Sequence, residues 1–255
     1  MRPVRAVIGL ASLAAATAPG CAFRPDNTLA PGHAGAPGVK RFLVCAPNTV
    51  IALPAELQDV TQSLRQQVDA YLHFHDRDAQ WINLPESRRA WGEAVAAAKQ
   101  SGALDKAPVF FAERLDQKYD FDAIVMPSIL THKKRATDGA AIWDGVSRQM
   151  ELVNKPARLT GQPRGSEGQD TFAEGVRFGG VTGDVLVTSI HVLVFSRTGE
   201  RIFEGRGGFA FVHDADLKNS RDWSWRYRPR DLAADIDAMR EGIAIAFHPY
   251  LPEAD

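Results

Sequence analysis

The stretch from Val185 to Val212 leaves this chain the least conformational freedom. Val185 to Phe195 is β-branched and nearly continuous, Arg197-Thr198-Gly199-Glu200 carries turn chemistry, and Arg201 to Val212 returns as a second run. β-Branched side chains are stiff at χ1 and pack well on a pleated surface, so this pattern predicts a β-hairpin. Asp122 to Pro127 (DAIVMP) is apolar at consecutive positions. That pattern predicts a central strand buried on both faces, in a sheet covered by helices.

Helical periodicity fills the spaces between the strands. Val39 to Ala46 predicts a first strand, extended past Pro47-Asn48 by Val50 to Leu53. Pro54-Ala55-Glu56 then opens a helix whose Leu57, Val60, Leu64, Val68 and Tyr71 form one apolar stripe. Trp81 to Leu84 predicts a short strand. Pro85-Glu86 starts a second helix carrying Ala90, Trp91, Ala94, Val95 and Ala98, stopped by Gly102, and Val109 to Tyr119 predicts a third. Gly139 to Leu152 predicts a weaker strand. Residues 154–174 are polar without a period and predict a mobile loop, and 214–230 predict an irregular connection. Leu232, Ile236, Met239, Ile243 and Phe247 mark a closing amphipathic helix. The order predicts a single α/β sandwich domain over residues 39–250, with a mixed β-sheet covered by helices, ending in a β-hairpin and a C-terminal helix.

The amino-terminal end addresses compartment rather than fold. Arg2 and Arg5 precede a small-residue apolar run from Ala6 to Ala18, and Ala18-Pro19-Gly20-Cys21 closes it. The run is too short to span a bilayer and has the parts of a secretory signal peptide over residues 1–20. The cysteine directly after the small residues resembles a bacterial lipobox, which implies lipidation at Cys21. Ala22 after it favours the outer membrane, with the chain facing the periplasm; ordinary secretion is the alternative. Residues 21–38 (CAFRPDNTLAPGHAGAPG) read as the lipidated cysteine and a flexible tether.

Composition narrows the partners. The chain carries 30 basic and 31 acidic residues, with Arg2 and Arg5 in the leader, so the remainder is slightly negative and offers no long-range field for nucleic acid. With 45% apolar residues the core needs no cross-link, and with Cys21 lipidated the second of the two cysteines, Cys45, has no intramolecular partner. Cys45 sits in the apolar run Phe42-Leu43-Val44-Cys45, the setting of a buried, inert thiol.

A lipidated cysteine, a tether, FLVCAPNTVIALPAEL, YDFDAIVMPSIL and a late hairpin closed by a helix together resemble one group. It is the family of curli-secretion (CsgG-like) and TolB amino-terminal-like lipoprotein domains, which includes activators of peptidoglycan synthases. The resemblance implies a non-enzymatic periplasmic module serving an envelope machine through contact with an envelope protein. In the curli-secretion members two extra hairpins enter the outer membrane. Here Asp144, Arg148 and Gln149 interrupt both faces of 142–152, so pore formation is not expected.

Candidate chemistry is sparse. His73-Phe74-His75-Asp76-Arg77-Asp78 is the densest cluster of metal-ligating side chains. Imidazoles at i and i+2 can share a metal on extended backbone, with Asp76 supplying oxygen, but no HExxH accompanies them, and histidines at a helix C-terminus also suit its dipole. A metal-dependent hydrolase on His73, His75 and Asp76 is the competing enzyme reading. No G-x-S-x-G is present, Gly179-Gly180 and Gly205-Arg206-Gly207-Gly208 read as close backbone packing in strands, and His191 reads as a satisfied sheet histidine. Lys133-Lys134-Arg135 follows the central strand as a solvated loop or a rim for lipid head groups or an acidic partner. Trp223, Trp225, Arg226, Tyr227 and Arg228 concentrate aromatics and arginines, the enrichment of contact surfaces. Those five residues are the predicted partner-binding set, without metal or cofactor. Peptidoglycan and a second copy of the chain are the other partner candidates.

Overall fold

The computed structural model describes residues 26–151, 182–219 and 224–251. The leader 1–20, Cys21, Trp223 and the 154–174 segment lie outside them. The chain forms an α/β structure around a six-stranded mixed sheet. Its strands are β1 (Thr28–Leu29), β2 (Arg41–Val44), β3 (Asp78–Trp81), β4 (Ala123–Ala136), β7 (Gly183–Ser196) and β8 (Arg201–Phe211), in the order β1-β8-β7-β4-β2-β3. Two short pairs stand apart: β5 (Ala140–Trp143) with β6 (Val146–Gln149), and β9 (His213–Asn219) with β10 (Ser224–Pro229).

The expected hairpin is β7–β8, and its partner strand is much longer than predicted. β4 runs antiparallel to β7 in unbroken register from Ala123↔Ser196 to Ala136↔Gly183. Lys133, Lys134 and Arg135 therefore belong to the central strand, where charged residues alternate with partly buried ones, rather than to a loop after it. Parallel pairing with β2 covers only Phe42↔Ala123 to Val44↔Val125. Past that point the Asn48 side chain stands in for a strand: Ile129 N–H donates to Asn48 Oδ1 (2.9 Å), and Asn48 Nδ2 donates to Ile129 O (3.0 Å). Asn48 has φ +58°, a left-handed value that asparagine tolerates. It turns the chain away, so Val50 to Leu53 do not extend β2; Val50 is 48% exposed.

Helices cover both faces of the sheet at one end. α1 (Val60–Phe74) and α4 (Ile236–Phe247) pack Val60, Leu64, Val68, Leu72, Met239, Ile243 and Phe247 against Phe42, Val44, Val125, Ile190 and Val192. α2 (Leu84–Gln100) and α3 (Ala107–Asp116) pack Ala94, Phe111, Ala112 and Leu115 against Leu43, Ile124, Met126 and Phe195 on the opposite side. Alternation along β2, β4 and β7 divides these two cores, as period-2 geometry requires. Asn83 caps α2 by accepting from Glu86 N–H at 2.9 Å, which makes Leu84 helical and moves the preceding strand to Asp78–Trp81.

α4 sits unusually close to β8. A Cβ on Gly205 would lie 2.1 Å from Ala246 O, and one on Gly207 1.9 Å from Gly242 O, so helix and strand backbones meet without side chains between them. Gly205, Gly207 and Gly208 mark close packing as expected, whereas Gly179-Gly180 lie outside the described residues. Beyond the helices, the far ends of β4, β7 and β8 carry a third core. Ala136, Trp143, Val146, Val185, Val187, Phe211 and Ala215 assemble there. Trp143 is fully buried and donates Nε1–H to Thr188 O at 2.9 Å. The single strand expected over Gly139 to Leu152 is thus the tight β5–β6 pair, turned at Asp144 (φ +40°) and Gly145 (φ +86°).

The tether expected over 21–38 is anchored where it is described. Asn27 Nδ2 donates to Ile245 O and His248 O at 2.7 Å, β1 pairs with the β8 edge, and Ala36 is buried with its N–H on Tyr250 O. The local sequence is aperiodic because backbone and side-chain amides, not an apolar stripe, make these bonds.

One charge cluster fixes the start of β4. Asp122 Oδ1 accepts from Arg41 Nη2 at 2.7 Å, and Oδ2 accepts from the Arg41 and Lys40 amides at 2.9 and 3.0 Å. The Arg41 guanidinium, with these amides, holds the Asp122 carboxyl well below the usual carboxylate range. A depressed folded-state pKa contributes stability above the unfolded value and loses it as pH falls. Asp122→Asn is expected to lower the thermal midpoint at pH 7, with the gap from the parent narrowing as pH falls below about 4 in thermal melts. Gly207→Ala is expected to cost about 2 kcal/mol or more by forcing α4 off β8, measured by urea unfolding.

Candidate functional site

Trp225, Arg226, Tyr227 and Arg228 of the predicted partner-binding set do not lie in an irregular connection. Residues 213–219 and 224–229 pair as the antiparallel hairpin β9–β10, with Tyr227↔Ala215, Arg228↔Asp214 and Pro229↔His213 in register. The missed signal is alternation: aromatics and proline occupy odd positions from 223 to 229 and arginines the even ones from 226 to 230. β9 mirrors it, with Asp214 and Asp216 facing the arginine side.

That pairing consumes two of the arginines. Arg228 Nη2 lies 2.6 Å from Asp216 Oδ2, and Asp216 is buried. Arg230 sits among Asp235 at 2.7 Å, Glu151 at 3.4 Å and Asp214 at 3.5 Å. Burial pushes the Asp214 carboxyl above its ordinary pKa, while Arg230 opposes the shift. This cluster ties the hairpin to the start of α4, helped by Ala215 N–H on Glu151 O and Arg230 N–H on Val212 O. Arg226 and Tyr227 remain outward: Arg226 is exposed and forms no ion pair with the described residues, and Tyr227 is 49% exposed. Trp225 lies in β10 opposite Leu217.

Tyr227 also lines a groove of about 330 Å3, together with Met150, Asp184, Val185, Leu186 and His213. Leu186 is 40% exposed there. Across the β4–β7 ladder Lys133 stands opposite Leu186 and Arg135 opposite Asp184. Lys133 and Arg135 are exposed and form no ion pair with the described residues. The arrangement is an apolar groove with an aromatic wall and a cationic rim. It suits an apolar side chain flanked by carboxylates, with Tyr227 supplying a large, stiff contact area at small entropic cost. Leu186, Met150 and Lys133 come from three distant segments, and no local motif joins them in the sequence.

The remaining candidates do not assemble. His75 caps α1 and its ring packs on Tyr71 with centroids 4.6 Å apart; burial and Arg77 lower its pKa, while Asp76 opposes the shift. His73 and Asp76 are exposed, Asp76 at φ +54° as the chain leaves the helix, and no group of three metal-ligating side chains forms among the described residues. His191 is a buried sheet histidine with Nε2 3.1 Å from Glu204 Oε1, but it is only half satisfied, since its buried Nδ1 has no hydrogen-bond partner among the described residues. Ser189 Oγ donates to Asp144 Oδ2 at 2.6 Å, and His132 Nε2 is 3.8 Å from the same oxygen. The serine thus bonds a carboxylate and not an imidazole, which is no nucleophile–base pair. Cys45 is buried, and burial pushes its thiol up to about 12. At neutral pH that is an inert thiol, as its strand setting predicts.

No family model, no curated protein and no solved structure matches this chain. Arg230→Met is expected to loosen the hairpin locally, because it leaves Asp214 and Asp235 without their common cation. Hydrogen exchange at the Ala215 amide should accelerate roughly tenfold or more, with little change in β4 and β7.

Proposed function

We propose that this chain is an outer-membrane lipoprotein facing the periplasm, acylated at Cys21. It acts as a non-enzymatic accessory in envelope secretion or cell-wall synthesis, through contact with an envelope protein. The observation that carries the contact role is the groove between Tyr227, Leu186 and Met150, with Lys133 and Arg135 beside it across the β4–β7 ladder. Exposed apolar and aromatic area beside unpaired cations is costly to leave in water and is what a partner with an apolar, acidic segment covers. The envelope setting rests on the charged start, the apolar run and the Ala18-Pro19-Gly20-Cys21 exit. The accessory role also draws on the resemblance to CsgG-like and TolB amino-terminal-like lipoprotein domains, carried by the order of elements and by FLVCAPNTVIALPAEL and YDFDAIVMPSIL.

In-cell photo-crosslinking from position 227 of the full-length chain tests the reading. One dominant envelope-protein adduct is expected, reduced several-fold by Lys133→Glu with Arg135→Glu. Unreduced crosslinking in that variant, or no adduct from abundant folded protein, would overturn the contact role. Adducts only to peptidoglycan or to a second copy would replace the partner with one of the other two candidates.

A further inference from the structure

A second recess lies away from the ribbon end, where the parallel strands stop. β2 and β3 run parallel, Arg41↔Asp78 to Val44↔Trp81, and their continuations leave on opposite faces. α1 follows β2 and packs into the core shared with α4, whereas α2 follows β3 and packs into the core shared with α3. The connections diverge there, so a crevice opens past the carboxyl ends of the two strands. In open α/β sheets this switch point is where ligands are held, because the chain parts and both helix starts face the gap.

The crevice has a volume of about 270 Å3 and is lined by Asn48, Leu53, Arg65, Trp81, Leu84 and Arg88, among others. No Asp or Glu lines it. Arg65 lies over the Trp81 ring with its guanidinium carbon 5.2 Å from the centroid, which orients the cation at the rim. Trp81 is itself held by Nε1–H donation to Asp69 at 2.9 Å. Arg88 rises from the second turn of α2, and neither arginine forms an ion pair with the described residues. The floor is stiff, since Asn48 is locked to Ile129 by both of its side-chain bonds. Two unneutralised guanidiniums over an apolar floor of Leu53, Trp81 and Leu84 suit an anion carried on an apolar body.

We propose that this switch-point crevice binds a small organic anion, a carboxylate or phosphate on a compact apolar body, with Arg65 and Arg88 on the charge and Leu53 and Leu84 against the body. This site is independent of the envelope reading and of the Tyr227 groove.

Calorimetric titration of the full-length chain with phenyl phosphate, benzoate and inorganic phosphate tests it. At least one aromatic anion is expected to bind with a Kd of about 1 mM or tighter, and inorganic phosphate tenfold more weakly or worse. Arg65→Gln and Arg88→Gln should each weaken binding roughly tenfold, while Arg226→Gln on the distant hairpin should leave it unchanged. Arg88 is exposed, so its variant is expected to keep the parent thermal midpoint and to report on binding alone. The tighter of the two aromatic anions identifies the preferred charged group. No binding of either one, equal binding of inorganic phosphate, or binding indifferent to both crevice arginines would overturn the proposal.

Discussion

The antiparallel ladder between β4 and β7 is the constraint on which the rest depends. Its register runs unbroken from Ala123↔Ser196 to Ala136↔Gly183, longer than any helix layer laid over it. The helices reach one end of this ribbon only. At that end both faces are buried and the residues are apolar; at the other, one face meets β5–β6 and the opposite one meets solvent. A single pair of strands thus generates two environments, a double-sided core and a half-covered arm. Both candidate sites sit where covering stops: the groove at the arm, the crevice where β2 and β3 end beside α1 and α2.

The apolar parts of this plan were legible in the sequence. Val185 to Phe195 and Asp122 to Pro127 named the two central strands because burial on both faces over most of their length leaves a nearly continuous apolar run. The stripes of α1 and α4 were legible for the same reason, with Leu72 added at full burial and Tyr71 packed at the edge of the same core. Thr131 to Arg135 misled, since a strand with an exposed face can carry polar and charged residues at its outward positions and look like a loop. Cationic outward residues there also guard a strand whose far edge has no partner strand past Val125 among the described residues.

The candidate sites were less legible because each is assembled across distance. The aromatic and arginine content of 223–230 was visible, but not the carboxylates that pair with Arg228 and Arg230, which lie in β9, at Glu151 and at Asp235 just before α4. Neighbour chemistry, not residue type, decides which cations are free. The switch-point crevice left no local trace, since it follows from which face each connecting helix takes. His73, His75 and Asp76 show the reverse case: adjacent in sequence, they diverge because the helix ends between them and Asp76 turns left-handed.

The amino-terminal strap has a mechanical meaning. β1 contributes only two register pairs to β8, at Thr28↔Glu204 and Leu29↔Phe203, and Asn27 adds two side-chain bonds to the end of α4. A pull on the chain ahead of Asp26 would load these few bonds first. About ten residues would pay out, adding roughly 30 Å of reach, before the long β4–β7 ladder felt any tension. Under such a load the strap would act as a breakaway slack line, lengthening while the folded sheet stays whole.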